Sequence, residues 1–307
     1  MTGYTRILCP IDFSEPSRRA LRYASATARW YGAKLIVLHV FPEVPAVDII
    51  PSLVVAGSAP NARRARDRER TAEMLERFVH DVVPHGVDVE WRMEDEADAA
   101  LEIARDAAEY QSELIVMGTH GRTGYERLLL GSTAETVVRG APCPVVVVPS
   151  HADGAIPPGD PEFDSVLCAV DFSECSLEAL AAAMLLAEDA DALLTLLNVV
   201  DVPPELHARA SLGEIDINAV RAADTASRLR HLRQLVPDSA RVYCHVETMV
   251  GEGKASREIL RIAAERRSDL IVMGVKGRSA LSRLVLGSTT HDVLRGSTCP
   301  VLILHKE

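Results

Sequence analysis

Two stretches of the chain share a pattern of glycine and hydroxyl residues whose spacing suits the binding of an anion. In each stretch a glycine is followed after two residues by a second glycine, and after nine more by Gly-Ser-Thr. The residues are Gly118, Gly121, Gly131, Ser132 and Thr133 in the first stretch, and Gly274, Gly277, Gly287, Ser288 and Thr289 in the second. Glycines let a backbone approach an anion closely, and the N–H groups at the start of a helix favour negative charge. Because each pattern lies between an apolar run and a helical segment, it predicts a phosphate cradle.

An aspartate follows the first apolar run of each half of the chain. Asp12 comes after Arg6–Ile11, and Asp171 comes after Leu167–Val170. A carboxylate accepts hydrogen bonds, which suits the hydroxyl groups of a ribose. The pairing of an acceptor with a phosphate cradle therefore points towards a nucleotide.

Each of these residues also has an ordinary structural explanation. An aspartate between a strand and a serine is often a helix cap, and a single glycine is usually a turn residue. Arg122 and Arg278 would add positive charge beside a phosphate, but they are equally consistent with solvated loop charges. His120 is interpreted first as a loop residue, because its counterpart in the second half is Lys276. The same spacing in both halves favours the ligand-binding explanation.

The segments that carry these residues alternate between apolar strands and helices. The order in the first half is β-α-β-α-β-α-β-α-β, which predicts a parallel sheet covered by helices on both faces. The stretch 150–162 is rich in proline and glycine, and after it Leu8–Glu15 is repeated as Leu167–Glu174. The sequence therefore predicts two α/β domains, 1–149 and 163–307, joined by a linker at 150–162.

The expected binding crevice lies beyond the carboxyl ends of the first and fourth strands, because ligands of doubly wound sheets bind where the strand order reverses. Asp12 and Gly118 follow these two strands, and a base would lie near Ile11 and Val40. The predicted nucleotide-binding residues are Pro10, Ile11, Asp12, Val40, Gly118, His120, Gly121, Arg122, Gly131, Ser132 and Thr133 in the first half, and Ala169, Val170, Asp171, Val199, Gly274, Lys276, Gly277, Arg278, Gly287, Ser288 and Thr289 in the second.

The composition narrows the class of protein. The chain of 307 residues has a formal net charge of −11, which argues against a broad nucleic-acid-binding surface. The N-terminal residues lack the apolar core of a signal peptide, and no apolar run is long enough to span a membrane, so a cytoplasmic location is expected. The sequence contains no repeated His/Cys cluster with metal-ligand spacing, and no metal site is predicted.

The whole pattern resembles the universal stress protein family in its tandem, two-domain form. The family signature, Gly-x2-Gly-x9-Gly-Ser/Thr, is present in both halves together with the aspartate after the first strand. The resemblance covers nearly the whole chain outside the linker. The second half departs from the first at Ala169 in place of Pro10 and at Lys276 in place of His120, but its signature is intact. We therefore expect both sites to bind ligand.

The resemblance has consequences for fold, ligand and assembly. It implies two Rossmann-like doubly wound domains, each with a five-stranded parallel sheet of strand order 3-2-1-4-5. It implies that each domain binds ATP, with or without Mg²⁺. It also implies that the fifth strands, Pro144–Val148 and Val301–Leu304, pair within one chain, while association of two chains as a homodimer stays open.

Two functions fit this site. The preferred hypothesis is an ATP-binding protein of stress response or regulation, in which ATP stabilises one conformation or assembly. The alternative is a slow ATPase or an adenylyl-transferring enzyme that uses the same sites. Phosphoryl transfer needs a positioned nucleophile and usually a carboxylate-held metal, and no duplicated carboxylate besides Asp12 and Asp171 lies near the glycine pattern. We therefore predict no catalytic residues and no efficient enzyme; a scaffold with vestigial sites is a third interpretation.

Overall fold

The computed structural model describes residues 3–42, 60–96, 98–120, 130–150, 163–201, 216–238, 240, 244–277 and 286–305. They form two compact units, the first within residues 2–150 and the second within 162–307. The predicted linker, apart from Ser150 at its start, lies outside the described residues, so its boundaries stay a prediction.

The first unit alternates strands and helices. Its elements are β1 (Arg6–Pro10), α1 (Glu15–Tyr31), β2 (Lys34–Pro42), α2 (Pro60–Val82), β3 (Val89–Glu96), α3 (Ala99–Glu109), β4 (Leu114–Gly118), α4 (Ser132–Gly140) and β5 (Val145–Val148). The strands pair in parallel in the order β3-β2-β1-β4-β5. This is the order 3-2-1-4-5 that the resemblance implied.

The second unit repeats the arrangement. Its elements are β6 (Ser165–Ala169), α5 (Glu174–Ala190), β7 (Leu193–Val200), α6 (Ile217–Leu235), β8 (His245–Glu252), α7 (Ala255–Arg266), β9 (Leu270–Gly274), α8 (Ser288–Gly296) and β10 (Val301–Leu304). The order is β8-β7-β6-β9-β10, again with parallel pairing. The predicted fold class, two doubly wound α/β units, is confirmed.

The central strands are apolar along their whole length because helices cover both faces of a parallel sheet. In β1, Ile7, Leu8 and Cys9 are fully buried. Helix α1 begins at a serine cap, where the hydroxyl oxygen of Ser14 accepts from the backbone of Ser17, and it ends at Gly32 in the left-handed conformation, φ 64°. These local signals determine where α1 begins and ends.

Strand β1 lies between β2 and β4, so the strand order reverses beside it. The chain leaves β1 at Pro10 and β4 at Gly118, at the same edge of the sheet. The predicted crevice therefore has the expected position in the fold. None of the helices in the described ranges combines the length and the apolar character that crossing a membrane requires.

Candidate functional site

A cleft opens at the switch point of the first unit, with a volume of about 780 Å³ that includes its open mouth. Nine residues predicted from the sequence line it: Pro10, Ile11, Asp12, Val40, Gly118, His120, Gly131, Ser132 and Thr133. The two others predicted for this half, Gly121 and Arg122, lie outside the described residues. The strand ends thus bring the carboxylate and the start of α4 together.

The second unit has an equivalent cleft of about 880 Å³. Ten of its predicted residues line it: Ala169, Val170, Asp171, Val199, Gly274, Lys276, Gly277, Gly287, Ser288 and Thr289. Arg278 lies outside the described residues. Both clefts are therefore built from the same positions of the repeat.

The aspartate at the end of the first strand holds a turn together in both units. One oxygen of Asp12, Oδ1, accepts from the backbone of Ser14 at 3.1 Å and from its hydroxyl at 2.5 Å. In the second unit Oδ1 of Asp171 accepts from the backbone and hydroxyl of Ser173 at 3.0 and 2.6 Å. The helix cap is the serine in each case. The idea that the aspartate itself caps the helix is therefore wrong: the aspartate anchors the cap.

A phenylalanine in the left-handed conformation shapes this turn. Phe13 has φ 64° and Phe172 has φ 63°, a region that costs a non-glycine residue about 1–2 kcal/mol. Packing holds the rings in place: Phe13 contacts His39 at 4.5 Å between ring centroids, and Phe172 stacks on His231 at 4.2 Å. The same conformation in both units, held by different partners, indicates that the geometry of the aspartate turn is required by the fold or by the site.

The second oxygen of Asp171 lies directly beneath the glycine loop. A Cβ atom added to Gly277 would lie 2.5 Å from Oδ2 of Asp171, so the carboxylate would have to move away. Glycine at 277 therefore lets the loop after β9 pass close to the carboxylate in its present position. The aspartate and the glycine loop, which are distant in sequence, are therefore in close contact.

The first glycine of each pattern has a structural role that the sequence analysis did not assign. A Cβ on Gly118 would lie 3.0 Å from the backbone of Pro16, and one on Gly274 would lie 2.8 Å from that of Cys175. Strand β4 and helix α1, like β9 and α5, therefore approach each other too closely for a side chain. These glycines set the depth of the cleft through helix–strand packing, as well as lining it.

The helices α4 and α8 begin at a glycine that offers no side-chain cap. Gly131 has φ −64° and Gly287 has φ −62°, values that any residue adopts. A Cβ on Gly287 would meet its neighbours at 3.4–3.5 Å, ordinary contact distances. The packing of the described residues therefore does not demand glycine at 287. The first residues of both helices line the clefts, and no side chain caps either helix, as in a site for an anion.

Several lining residues were not identified from the sequence. They are Ser17, Leu38, His39, Ala99, Ile103, Met117, Thr119 and Ala134 in the first cleft, and Ser176, Leu197, Asn198, Ala255, Ile259, Met273 and Thr290 in the second. Most are apolar residues of strand ends and of the first turns of α3 and α7. These residues reach the clefts because α3 and α7 pack over the edge of the sheet. The sequence predicted that helices cover the sheet, but not which residues of these helices line a cleft.

Two of these residues, His39 and Asn198, hold the backbone that precedes the aspartate. Nδ1 of His39 donates to the carbonyl oxygen of Ile11 at 2.8 Å, and Nδ2 of Asn198 donates to that of Val170 at 2.6 Å. Both side chains are buried. His39 and Asn198 are polar residues at equivalent positions of two largely apolar strands, and this repeated polarity could have identified them from the sequence.

The comparisons with known proteins agree with this geometry. The model of the universal stress protein family matches residues 3–149 and again 162–305. A universal stress protein of Mycolicibacterium smegmatis is 28% identical over 319 aligned positions, which cover 97% of this chain and 96% of that protein. The universal stress protein YxiE of Bacillus subtilis is 35% identical over 146 residues, 46% of this chain and 99% of that protein.

Solved structures show the same architecture over the full length. The crystal structure of a universal stress protein from Archaeoglobus fulgidus superimposes with a TM-score of 0.68 at 22% identity, covering 98% of this chain and 96% of that one. That likeness concerns the fold. Together with the two matches to the family model, it shows that the chain belongs to the universal stress protein family and carries the family's domain twice.

Proposed function

We propose that the protein is an ATP-binding regulatory protein of the stress response, with one nucleotide site in each unit. The observation that carries the proposal is the pairing, in each cleft, of an aspartate turn with an uncapped helix N-terminus that begins at glycine. This pairing occurs at the switch point of both sheets. A carboxylate and an anion site that line the same cleft match the ribose and the phosphates of a nucleotide.

The nucleoside half would lie against the apolar wall beside the aspartate. In the first cleft this wall consists of Ile11, Val40 and Ile103, and in the second of Val170, Val199 and Ile259. Apolar walls with a few polar groups are typical of small-molecule sites. Asp12 and Asp171 would accept from the ribose hydroxyl groups.

The phosphate half would lie at the start of α4 and α8. Backbone N–H groups and the hydroxyls of Ser132, Thr133, Ser288 and Thr289 provide donors there, and the helix dipole favours the negative charge. A phosphate that approaches the Gly287 backbone explains why glycine stands at a position where the chain's own packing would accept a side chain.

The described residues bear on whether Mg²⁺ accompanies the nucleotide. They include no group of three or more His, Cys, Asp and Glu side chains arranged to hold a metal. The hydroxyls of Ser132 and Ser288 suit a magnesium ion that is carried mainly by phosphate oxygens and water. We therefore propose that Mg²⁺, when present, enters with ATP rather than occupying a separate protein site.

We further propose that the protein holds ATP rather than turning it over. Donors for phosphate are plentiful in both clefts. Among the described residues, the one carboxylate that lines each cleft, Asp12 or Asp171, also anchors a helix cap. A slow ATPase or adenylyl-transferring activity at the same sites is the rival. Pairing of the two fifth strands within the chain and a cytoplasmic location complete the proposal.

Chromatography of the supernatant from heat-denatured purified protein tests the nucleotide proposal. An adenine nucleotide in that supernatant, or calorimetric binding of added ATP, is the expected result. If neither is found, the proposal fails. Turnover faster than about 1 per second would instead support the enzyme.

A further inference from the structure

The two clefts differ in charge at equivalent positions, although they share the same frame. Resting on the proposed function, we propose that they discriminate nucleotides by phosphate charge: the second cleft selects the triphosphate, and the first accepts a monophosphate almost as well. The difference arises at three places around each cleft, each of which makes the second more positive.

The first place is the second residue after β4 and after β9. Lys276 lines the second cleft, and His120 lines the first. The imidazole of His120 contacts the hydroxyl of Thr119 at 3.0 Å, whereas the second unit has Val275 there. A lysine ammonium is a compact positive charge, whereas an imidazole carries a charge only when it is protonated. Lysine at this position therefore makes the second cleft the more positive of the two.

The second place is the start of the helix that follows the third strand. In the first unit Asp98 caps α3, accepting from Ala100 and Leu101 at 3.0 and 3.3 Å. In the second unit Lys254 stands at the cap of α7, and its ammonium binds Asp292 at 2.6 Å. One negative charge at the start of α3 thus corresponds to a neutral ion pair at the start of α7. The neighbouring residues Ala99 and Ala255 line the two clefts.

The third place is the first turn of the helix at the phosphate end. Helix α4 carries Glu135 in its first turn, and the first turn of α8 has no acidic residue. His291 stands at the equivalent position of α8, four residues after Gly287 as Glu135 is four after Gly131. A carboxylate here opposes the helix dipole's attraction for an anion, and its replacement removes that opposition.

At these three places the differences in charge add in one direction. Such charges act weakly on a neutral base but strongly on a polyphosphate, because each of them interacts with every phosphate charge. ATP carries about two more negative charges than AMP near neutral pH. The contrast between the clefts should therefore appear in the preference for ATP over AMP, more than in the affinity for adenosine.

The test measures that preference in each cleft separately. Gly131→Leu fills the start of α4 and leaves the second cleft; Gly287→Leu does the reverse. The affinity ratio of ATP to AMP, titrated calorimetrically at pH 8 where ordinary imidazoles are neutral, should be about tenfold or more larger in the second cleft. Equal ratios, or a larger one in the first cleft, would overturn the proposal while leaving nucleotide binding intact. Absence of binding by both variants and by the parent chain would instead overturn the proposed function.

A charge swap adds a second readout. In the Gly131→Leu background, Lys276→His should lower the ATP to AMP ratio and flatten its dependence on salt, since fewer charges are screened. Arg230→His removes a positive charge from the exposed surface of α6, which does not line the cleft, and should leave the ratio unchanged. If the two substitutions have the same effect, general charge rather than the cleft determines the preference.

Discussion

The side-chain amide of Asn198 donates to the carbonyl oxygen of Val170 at 2.6 Å, where the first unit uses the imidazole of His39 on Ile11. The hydrogen bond of Asn198 is part of a longer network of side chains. The amide oxygen of Asn198 accepts from Arg228 at 3.0 Å, and Arg228 is itself held by Asp224 at 2.9 Å. Helix α6 is thereby connected to the backbone that precedes the aspartate turn.

This network predicts the effect of removing Arg228. Arg228→Leu leaves the buried amide oxygen of Asn198 without its donor, so the free energy of unfolding should fall by about 1–3 kcal/mol. Urea denaturation measures the loss. Arg230→Leu, on the exposed side of the same helix, is the matched control and should change stability by less than about 0.5 kcal/mol.

The same network can be exchanged for that of the first unit. Leu75 is three residues before Phe78, the partner of Phe13, as Arg228 is three residues before His231, the partner of Phe172. The double variant Asn198→His and Arg228→Leu reproduces the first unit's pair. It should recover at least half of the stability that Arg228→Leu loses; no recovery would show that the two arrangements are not interchangeable.

Gly277→Ala tests the fit between the loop and Asp171. The added Cβ would lie 2.5 Å from Oδ2, so the carboxylate or the loop must move. We expect ATP affinity at the second cleft to fall by about tenfold or more, measured calorimetrically with the first cleft blocked by Gly131→Leu. Gly140→Ala, where a Cβ meets nothing within 4 Å, is the control. Unchanged affinity in Gly277→Ala would contradict a role of the Asp171 carboxylate in binding ATP.

The packing glycines predict a graded effect on stability. Gly274→Ala places a Cβ 2.8 Å from the backbone of Cys175 and should destabilise the fold by about 1–3 kcal/mol. Gly118→Ala, at 3.0 Å from Pro16, should cost less. Chemical denaturation of both variants checks the order, and a larger loss at 118 would contradict the packing explanation.

Asp106 on α3 predicts a dependence of stability on pH. Burial raises its pKa from 3.8 to about 6, with Glu102 and Glu94 adding to the rise, and Oδ2 has no hydrogen-bond partner among the described residues. The folded state therefore holds a proton that the unfolded chain releases. The stabilisation is present below pH 3.8 and is lost as the pH rises through about 6.

Asp106→Asn removes this titration. The variant should gain about 1–3 kcal/mol of stability over the parent at pH 8 and nothing at pH 4. Denaturation at the two pH values measures the difference. Asp189→Asn, at an exposed side chain of α5, is the control. An equal gain at both pH values would point to packing rather than ionisation.

Much of this fold could be predicted because its signals are local. The serine cap, the glycine at the end of α1 and the apolar strands act within a few residues, and the repeat doubled each signal. Boundaries that depend on distant pairing are harder to predict: the local alternation of apolar residues in β3 ends at Met93, yet pairing with β2 extends the strand to Glu96.

Some residues of the site could likewise be predicted from the sequence, and others could not. Asp171 and Gly277 could be identified because their residue types are unusual at strand ends and their spacing is repeated. The role of Gly274 in packing against Cys175, and that of Asn198 beneath Val170, depend on contacts between segments far apart in the chain. Such contacts leave no trace in local spacing, so they required the structure.

The stoichiometry of ATP binding tests the central claim most directly. Calorimetric titration of the parent chain should give two ATP per chain, each single variant, Gly131→Leu or Gly287→Leu, should give one, and the double variant none. A circular dichroism spectrum and melting temperature matching the parent would show that the double variant is folded. Two ATP bound by the folded double variant, or none bound by the parent, would contradict the assignment of one nucleotide site to each unit.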